Sequence, residues 1–187
     1  TMCRPIFDAL ERDWVALARS ADARLAVERW RSTPELATPD LDGLLQYTWS
    51  APRPEADRIC AALARLASVD VVAARTLLQV LRPGLRALGR RLAMGASFED
   101  VDQTVIALAW ERIRTYPIER RPATIAGNVL LDVRKEYVRG VLAASRESQP
   151  LDEVAERRHP TAPSAEHEAT ESELPSLRRA HARLVAA

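Results

Sequence analysis

The chain is expected to be all-α: a compact helical bundle with an N-terminal helical extension and a flexible, acidic C-terminal linker. Three observations predict this. Apolar residues recur at helical spacing along most of the chain, from Ile6 to Arg139. Strand signals are scarce, with 5% aromatic residues, six glycines and almost no alternating runs. Past Gly140 the composition turns polar, acidic and proline-punctuated, with little to bury.

Taken in order, residues 5–31 place Ile6, Leu10, Trp14, Leu17, Leu25 and Trp30 in helical register, and Ser20-Ala21-Asp22 is a natural interruption. The stretch STPELATPD is a turn-rich connector, LDGLLQYTW a short helix, and SAPRP a boundary near residue 52. From Glu55 a helical pattern runs to Met94, with Ser68 and Asp70 as caps for a second helix inside it. Pro83 and Gly84 are expected to break or kink that helix, because proline removes an amide donor and its ring crowds the preceding turn. Ser97 opens the next helix by capping the amide of Asp100, and Tyr116-Pro117 ends it. After the loop ERRP, a helix runs from Thr124 to about Arg139. Pro175 stands at the favoured first position of a last helix, PSLRRAHARLVAA. Four regions follow: 1–52, an N-terminal helical extension; 53–142, a helical domain; 143–174, an acidic linker; and 175–187, the start of a C-terminal helix. Trp14 and Trp30 are too large to leave in water, so the extension is expected to cover or extend the domain.

Overall charge says little: 27 basic residues against 26 acidic leave +1, and every basic residue but Lys135 is arginine. Its placement is informative. Residues 53–91 carry eight arginines and three acids, residues 110–146 eight bases and four acids, and residues 151–173 two bases and seven acids. Local basic stretches followed by an acidic one point to nucleic-acid contact or an acidic linker. Cys3 and Cys60 are far apart and lack metal-ligand spacing, which fits a reducing compartment. No apolar run approaches ~18 residues, and no signal-peptide pattern is present, so a soluble, cytoplasmic protein without membrane partners is expected. No phosphate loop, nucleophile elbow or metal-binding helix occurs, and His159, His167 and His181 all lie in or beyond the linker. Neither catalysis nor a cofactor is expected.

One stretch asks for more than capping. In SFEDVDQTVIALAW, residues 97–110, acids suit a first helical turn because they complement the helix dipole, but Gln103 has no such reason to be there. E-D-V-D-Q-T-V-I-A-L-A-W resembles a helix of bacterial sigma factors of the extracytoplasmic-function group, which commonly reads E-D-L-V-Q-x-V-F-x-x-A-W. Glu99, Asp100, Gln103, Val105, Ala109 and Trp110 fall in register. Ile125, Ala126, Asn128 and Asp132 in IAGNVLLDVRK match the downstream I-A-x-N-x-x-x-D-x-x-R, with Lys135 where arginine is usual. LLQVLRPGLRALGRRL is similar to the helix before them, so the likeness covers about residues 70–139. A fainter echo of the approach to the family's promoter-reading helix-turn-helix follows, and by this resemblance that domain itself is missing from the chain.

The resemblance implies a transcription-initiation protein whose partners are core RNA polymerase, promoter DNA around the −10 region, and an anti-sigma or other regulatory protein. Glu99, Asp100, Gln103 and Thr104 would dock on polymerase, with Val101, Val105, Ala109 and Ile113 packed inward. Arg120, Arg121, Asn128, Arg134, Lys135 and Arg139 would face DNA. Two departures stand out. The stretch from Trp110 to Asn128, which in the family helps capture an unstacked base, is several residues short, and Asp102 replaces an apolar residue. The alternative is therefore a sigma-derived helical interaction module or regulator that no longer melts promoter DNA. As for single residues, Trp110 is expected in the core, and Asn128 either faces DNA, or is simply solvent-facing or bonded to its own turn.

Overall fold

The computed structural model describes residues 5–93 and 97–147. All regular structure among them is helical. Contacts divide the chain into two units, Thr1–Val138 and Arg139–Ala187. The first holds nearly everything described.

Helix α1, Pro5–Ala18, buries Phe7, Trp14 and Leu17 on one stripe. The interruption at Ser20 is real: its hydroxyl accepts from the amide of Ala23 at 3.1 Å and so starts α2, Ala21–Trp30. The connector contains one 3₁₀ turn, Pro34–Leu36, with Leu36 fully buried. Asp40 opens α3, Leu41–Ser50, by accepting from Gly43 N at 2.6 Å. Helix α4, Arg53–Ala67, is alanine-rich on its inner face, so its backbone can approach its neighbours closely. Asp70 caps α5, Val71–Leu92, through the amides of Val72 and Ala73. Helices α6, Phe98–Arg114, and α7, Ile125–Glu147, complete the described chain.

The residues of α1–α3 belong to the same buried cluster as those of α4–α7. Phe7, Trp14, Trp30, Leu36, Leu41 and Leu44 are in it beside Leu63, Leu77, Leu85, Val105, Ile113 and Val129. Both buried tryptophans keep a polar partner, as an indole N–H requires. Trp14 Nε1 donates to Asp42 at 2.8 Å and Trp30 Nε1 donates to Asp70 at 3.1 Å. Asp70 also receives Arg29 at 2.9 Å, so one carboxylate ties α2 to the start of α5. Glu11 joins α1 to α5 through Arg82 and Gln79.

Three expectations are corrected. Pro83 does not break its helix: α5 continues through it to Leu92. The apolar stripe on both sides, from Leu77 and Leu81 to Leu85 and Leu88, is buried and holds the two halves to one core. Trp49 Nε1 donates to the Val80 carbonyl at 3.1 Å, in the turn that the proline ring disturbs. Gly84 allows close packing there, since a Cβ would lie 2.7 Å from a Leu130 methyl. Ser97 makes no side-chain cap; Glu99 and Asp100 in the first turn meet the dipole of α6 instead. Finally, α7 passes Arg139 and Gly140 and reaches Glu147, so the first residues expected in the linker are helical. The rest of the expected linker and the C-terminal helix lie outside the described residues. No helix among the described residues is long and apolar enough to cross a membrane.

Candidate functional site

Helix α6 has two unlike sides. Val101, Val105, Ala109 and Ile113 are buried at i, i+4 spacing, as expected. Asp102 lies beside them and is 1% exposed. Glu99, Asp100, Gln103 and Thr104 are all exposed at the helix start. Within this flank Thr104 Oγ1 donates to the Asp100 carbonyl at 2.8 Å, and Gln103 Nε2 lies 3.5 Å from Glu99. Asp100 and Gln103, three positions apart, are exposed neighbours on one face. Trp110 packs partly buried against the core, with the Arg114 guanidinium 5.9 Å from its ring centre.

The second surface is the turn joining α6 to α7, residues 115–124, with the outer side of α7. The polar groups of this turn bond to one another. Tyr116 OH donates to the Arg121 carbonyl at 3.0 Å, and Asn128 Nδ2 donates to Tyr116 OH at 3.0 Å and to the Ala123 carbonyl at 2.8 Å. Arg121 Nη1 donates to Asp132 Oδ2 at 2.6 Å, and Arg112 Nε meets the same oxygen at 3.0 Å. The Arg121 guanidinium also lies 5.8 Å from the centre of the Tyr116 ring. Thus the turn is folded back against the second turn of α7.

The start of α7 is capped from another helix. Thr124 has φ 54, in the left-handed region where a β-branched residue is strained. Its amide and that of Ile125 donate to the two oxygens of Asp57 on α4, each at 2.7 Å. Asp57 thereby satisfies donors that no residue of the turn reaches. A groove of about 650 Å³ opens beside this cap, lined among others by Arg53, Pro54, Cys60, Val80 and Ala126.

The structure sorts the expected DNA-facing residues into two groups. Arg120, Arg134 and Lys135 are exposed, and Arg139, also exposed, begins the second unit. Arg121 and Asn128 are half-buried and bonded inward. Leu131 and Val138, at 60% and 41% exposure, share the outer side of α7 with Arg134 and Lys135. Sequence reasoning missed Asp57, Arg112 and Tyr116. Asp57 lies 67 positions before Thr124, too far for any local pattern to connect them. Thr124 reads as an ordinary N-cap in the sequence; only the structure shows its hydroxyl on the Ala123 carbonyl and the cap supplied by Asp57.

Compared with known proteins, the chain matches no family model, no curated protein and no solved structure.

Proposed function

We propose that this chain is a sigma-factor-like protein that binds core RNA polymerase through the start of α6 and promoter DNA, around the −10 region, through the turn and outer side of α7. The observation that carries this reading is the division of α6. Four polar residues that match or adjoin the sigma-factor pattern are exposed together, while its apolar positions are buried. A glutamine offering both donor and acceptor beside a carboxylate suits a protein partner. The chain is not an enzyme in this reading; the chemistry belongs to the polymerase. A cytoplasmic location and an anti-sigma or other regulatory partner follow from the same proposal.

A second reading, an interaction module that engages polymerase without melting DNA, draws on the closed turn. Tyr116, Arg121, Asn128 and Asp132 are bonded to one another, as a turn built to hold its own shape would have them.

The deciding experiment is capture of core polymerase by the full chain, followed by transcription in vitro. Asp100→Arg and Gln103→Ala should weaken capture by about tenfold or more, the scale of one interface contact worth over 1 kcal/mol, with helicity unchanged. Capture equal to wild type for both variants would remove the α6 assignment. Capture without transcription favours the second reading.

A further inference from the structure

We infer that the groove beside the Asp57 cap is a binding site for a small amphipathic carboxylate, a hydrocarbon body with one carboxylate head. The inference does not rest on the polymerase and DNA reading.

The groove encloses about 650 Å³, the size of a small-molecule pocket. Its apolar walls come from three helices: Pro54, Ala56 and Cys60 from α4, Val80 from α5 and Ala126 from α7. They are set by the fold. Trp49 Nε1 donates to the Val80 carbonyl at 3.1 Å, and Thr48, which lines the groove from α3, gives its hydroxyl proton to the Leu44 carbonyl at 2.7 Å. Walls of this kind suit hydrocarbon and offer few hydrogen bonds.

Gly127 is the second observation. Glycine inside a helix costs backbone entropy relative to alanine, and is placed where φ is left-handed or where something approaches closely. Gly84 has such a neighbour, since a Cβ there would lie 2.7 Å from a Leu130 methyl. Gly127 has neither reason within the chain: its φ is not left-handed, and a Cβ would meet nothing within 4 Å. Gly140 is equally open but does not line the groove. Gly127 does line it, and bare backbone there admits a bound hydrocarbon directly against α7.

Charge selects the head group. Two of the lining residues are charged, Arg53 and Asp57, and they are not equivalent. Both oxygens of Asp57 are taken by the amides of Thr124 and Ile125, each at 2.7 Å, so it is poorly placed to receive a cationic ligand. Arg53 is exposed and makes no ion pair among the described residues. Burial pushes the Cys60 thiol up to about 12, so it adds no second negative charge. A guanidinium matches a carboxylate through two parallel hydrogen bonds. The nearby Asp57 charge disfavours a doubly charged head such as phosphate. Bound there, the ligand touches α4 and α7 together and favours the junction that Asp57 closes.

The test is calorimetric titration of the full chain with octanoate below its micelle concentration, and with octanol as the uncharged counterpart. Octanoate should bind saturably to the wild type, raise its melting temperature, and shift the amide resonances of Cys60, Val80, Ala126 and Gly127 most. Arg53→Ala should weaken octanoate by about tenfold, the scale of one hydrogen bond to a charged group, and leave octanol unchanged. Gly127→Phe, which sets a ring on the groove wall, should abolish octanoate binding with helicity retained. No saturable binding of octanoate to the wild type overturns the inference. So does octanol bound as tightly as octanoate with Arg53→Ala indifferent, because the head group then plays no part. Octanoate binding that survives in a folded Gly127→Phe overturns the placement. Should that variant not fold, the wild-type resonances decide: shifts centred away from these four residues overturn it equally.

Discussion

Asp57 and Cys60 sit one turn apart on α4 and show how far a residue's role depends on what is brought to it. Asp57 is an ordinary carboxylate until the start of α7 arrives; then it satisfies two amides and holds Thr124 in a strained conformation. Cys60 is 3% exposed, and burial, reinforced by the negative charge of Asp57, pushes its thiol up from 9.0 to about 12. The folded chain therefore keeps the thiol proton at pH values where the unfolded chain has lost it. That contribution to stability is complete below the unfolded value. It falls by about 1.4 kcal/mol per pH unit above it, and the fall ends near the folded value. Urea unfolding at increasing pH above 9.0 should show this loss in the wild type and a shallower one in Cys60→Ala. Parallel curves for the two proteins would show that the buried thiol does not set the slope. The same burial keeps the thiolate scarce, so native Cys60 should react with alkylating reagents only as fast as the chain opens.

Helix α5 is the element on which local rules and packing disagree most. Proline inside a helix removes one hydrogen bond and crowds the preceding turn, at about 3 kcal/mol. Yet α5 runs unbroken from Val71 to Leu92 with Pro83 inside it. Its stripe of buried leucines meets α6 and α4, and this packing exceeds the local penalty. Because Pro83 is itself exposed, Pro83→Ala removes the penalty without removing core contacts. The variant should be more stable by about 1–2 kcal/mol, the helical gain less the flexibility returned to the unfolded chain. A higher urea midpoint at unchanged m-value is the expected result. A lower midpoint would mean that the proline ring supports the fold. At the other end of α5, local chemistry and packing agree. Burial by itself would raise the Asp70 carboxyl, but Arg29, Trp30 and the amides of Ala73 and Val72 outweigh it and hold the group below its ordinary range. The cap was legible in the sequence; the Trp30 and Arg29 partners, on a helix forty positions away, were not.

For the first unit as a whole, the decisive fact is that α1–α3 share one core with α4–α6 and the start of α7. Deleting residues 1–50 would strip Phe7, Trp14, Trp30, Leu36, Leu41 and Leu44 from that core and bare the apolar sides of α4 and α5 facing them. Losing one large buried aromatic alone costs about 3–5 kcal/mol, and a domain is stable by only about 5–15 kcal/mol. The truncated chain should therefore be insoluble or unfolded, as read by soluble yield and the far-UV signal. A truncated chain that melts at the parental temperature would show that α4–α7 fold alone. The all-helical class, the helix breaks at Ser20 and near Pro52, the cap at Asp70 and the inward stripe of α6 were all readable from the sequence. Each depends on residues within a turn or two of one another, where periodicity and capping chemistry operate. The passage of α5 through Pro83, the cap lent to α7 by Asp57, and the inward turn of Asn128, Arg121 and Asp132 were decided only by the tertiary structure. In each of these the deciding contact crosses between helices or closes a loop, and whether a polar group faces solvent or a partner depends on what the folded chain sets beside it.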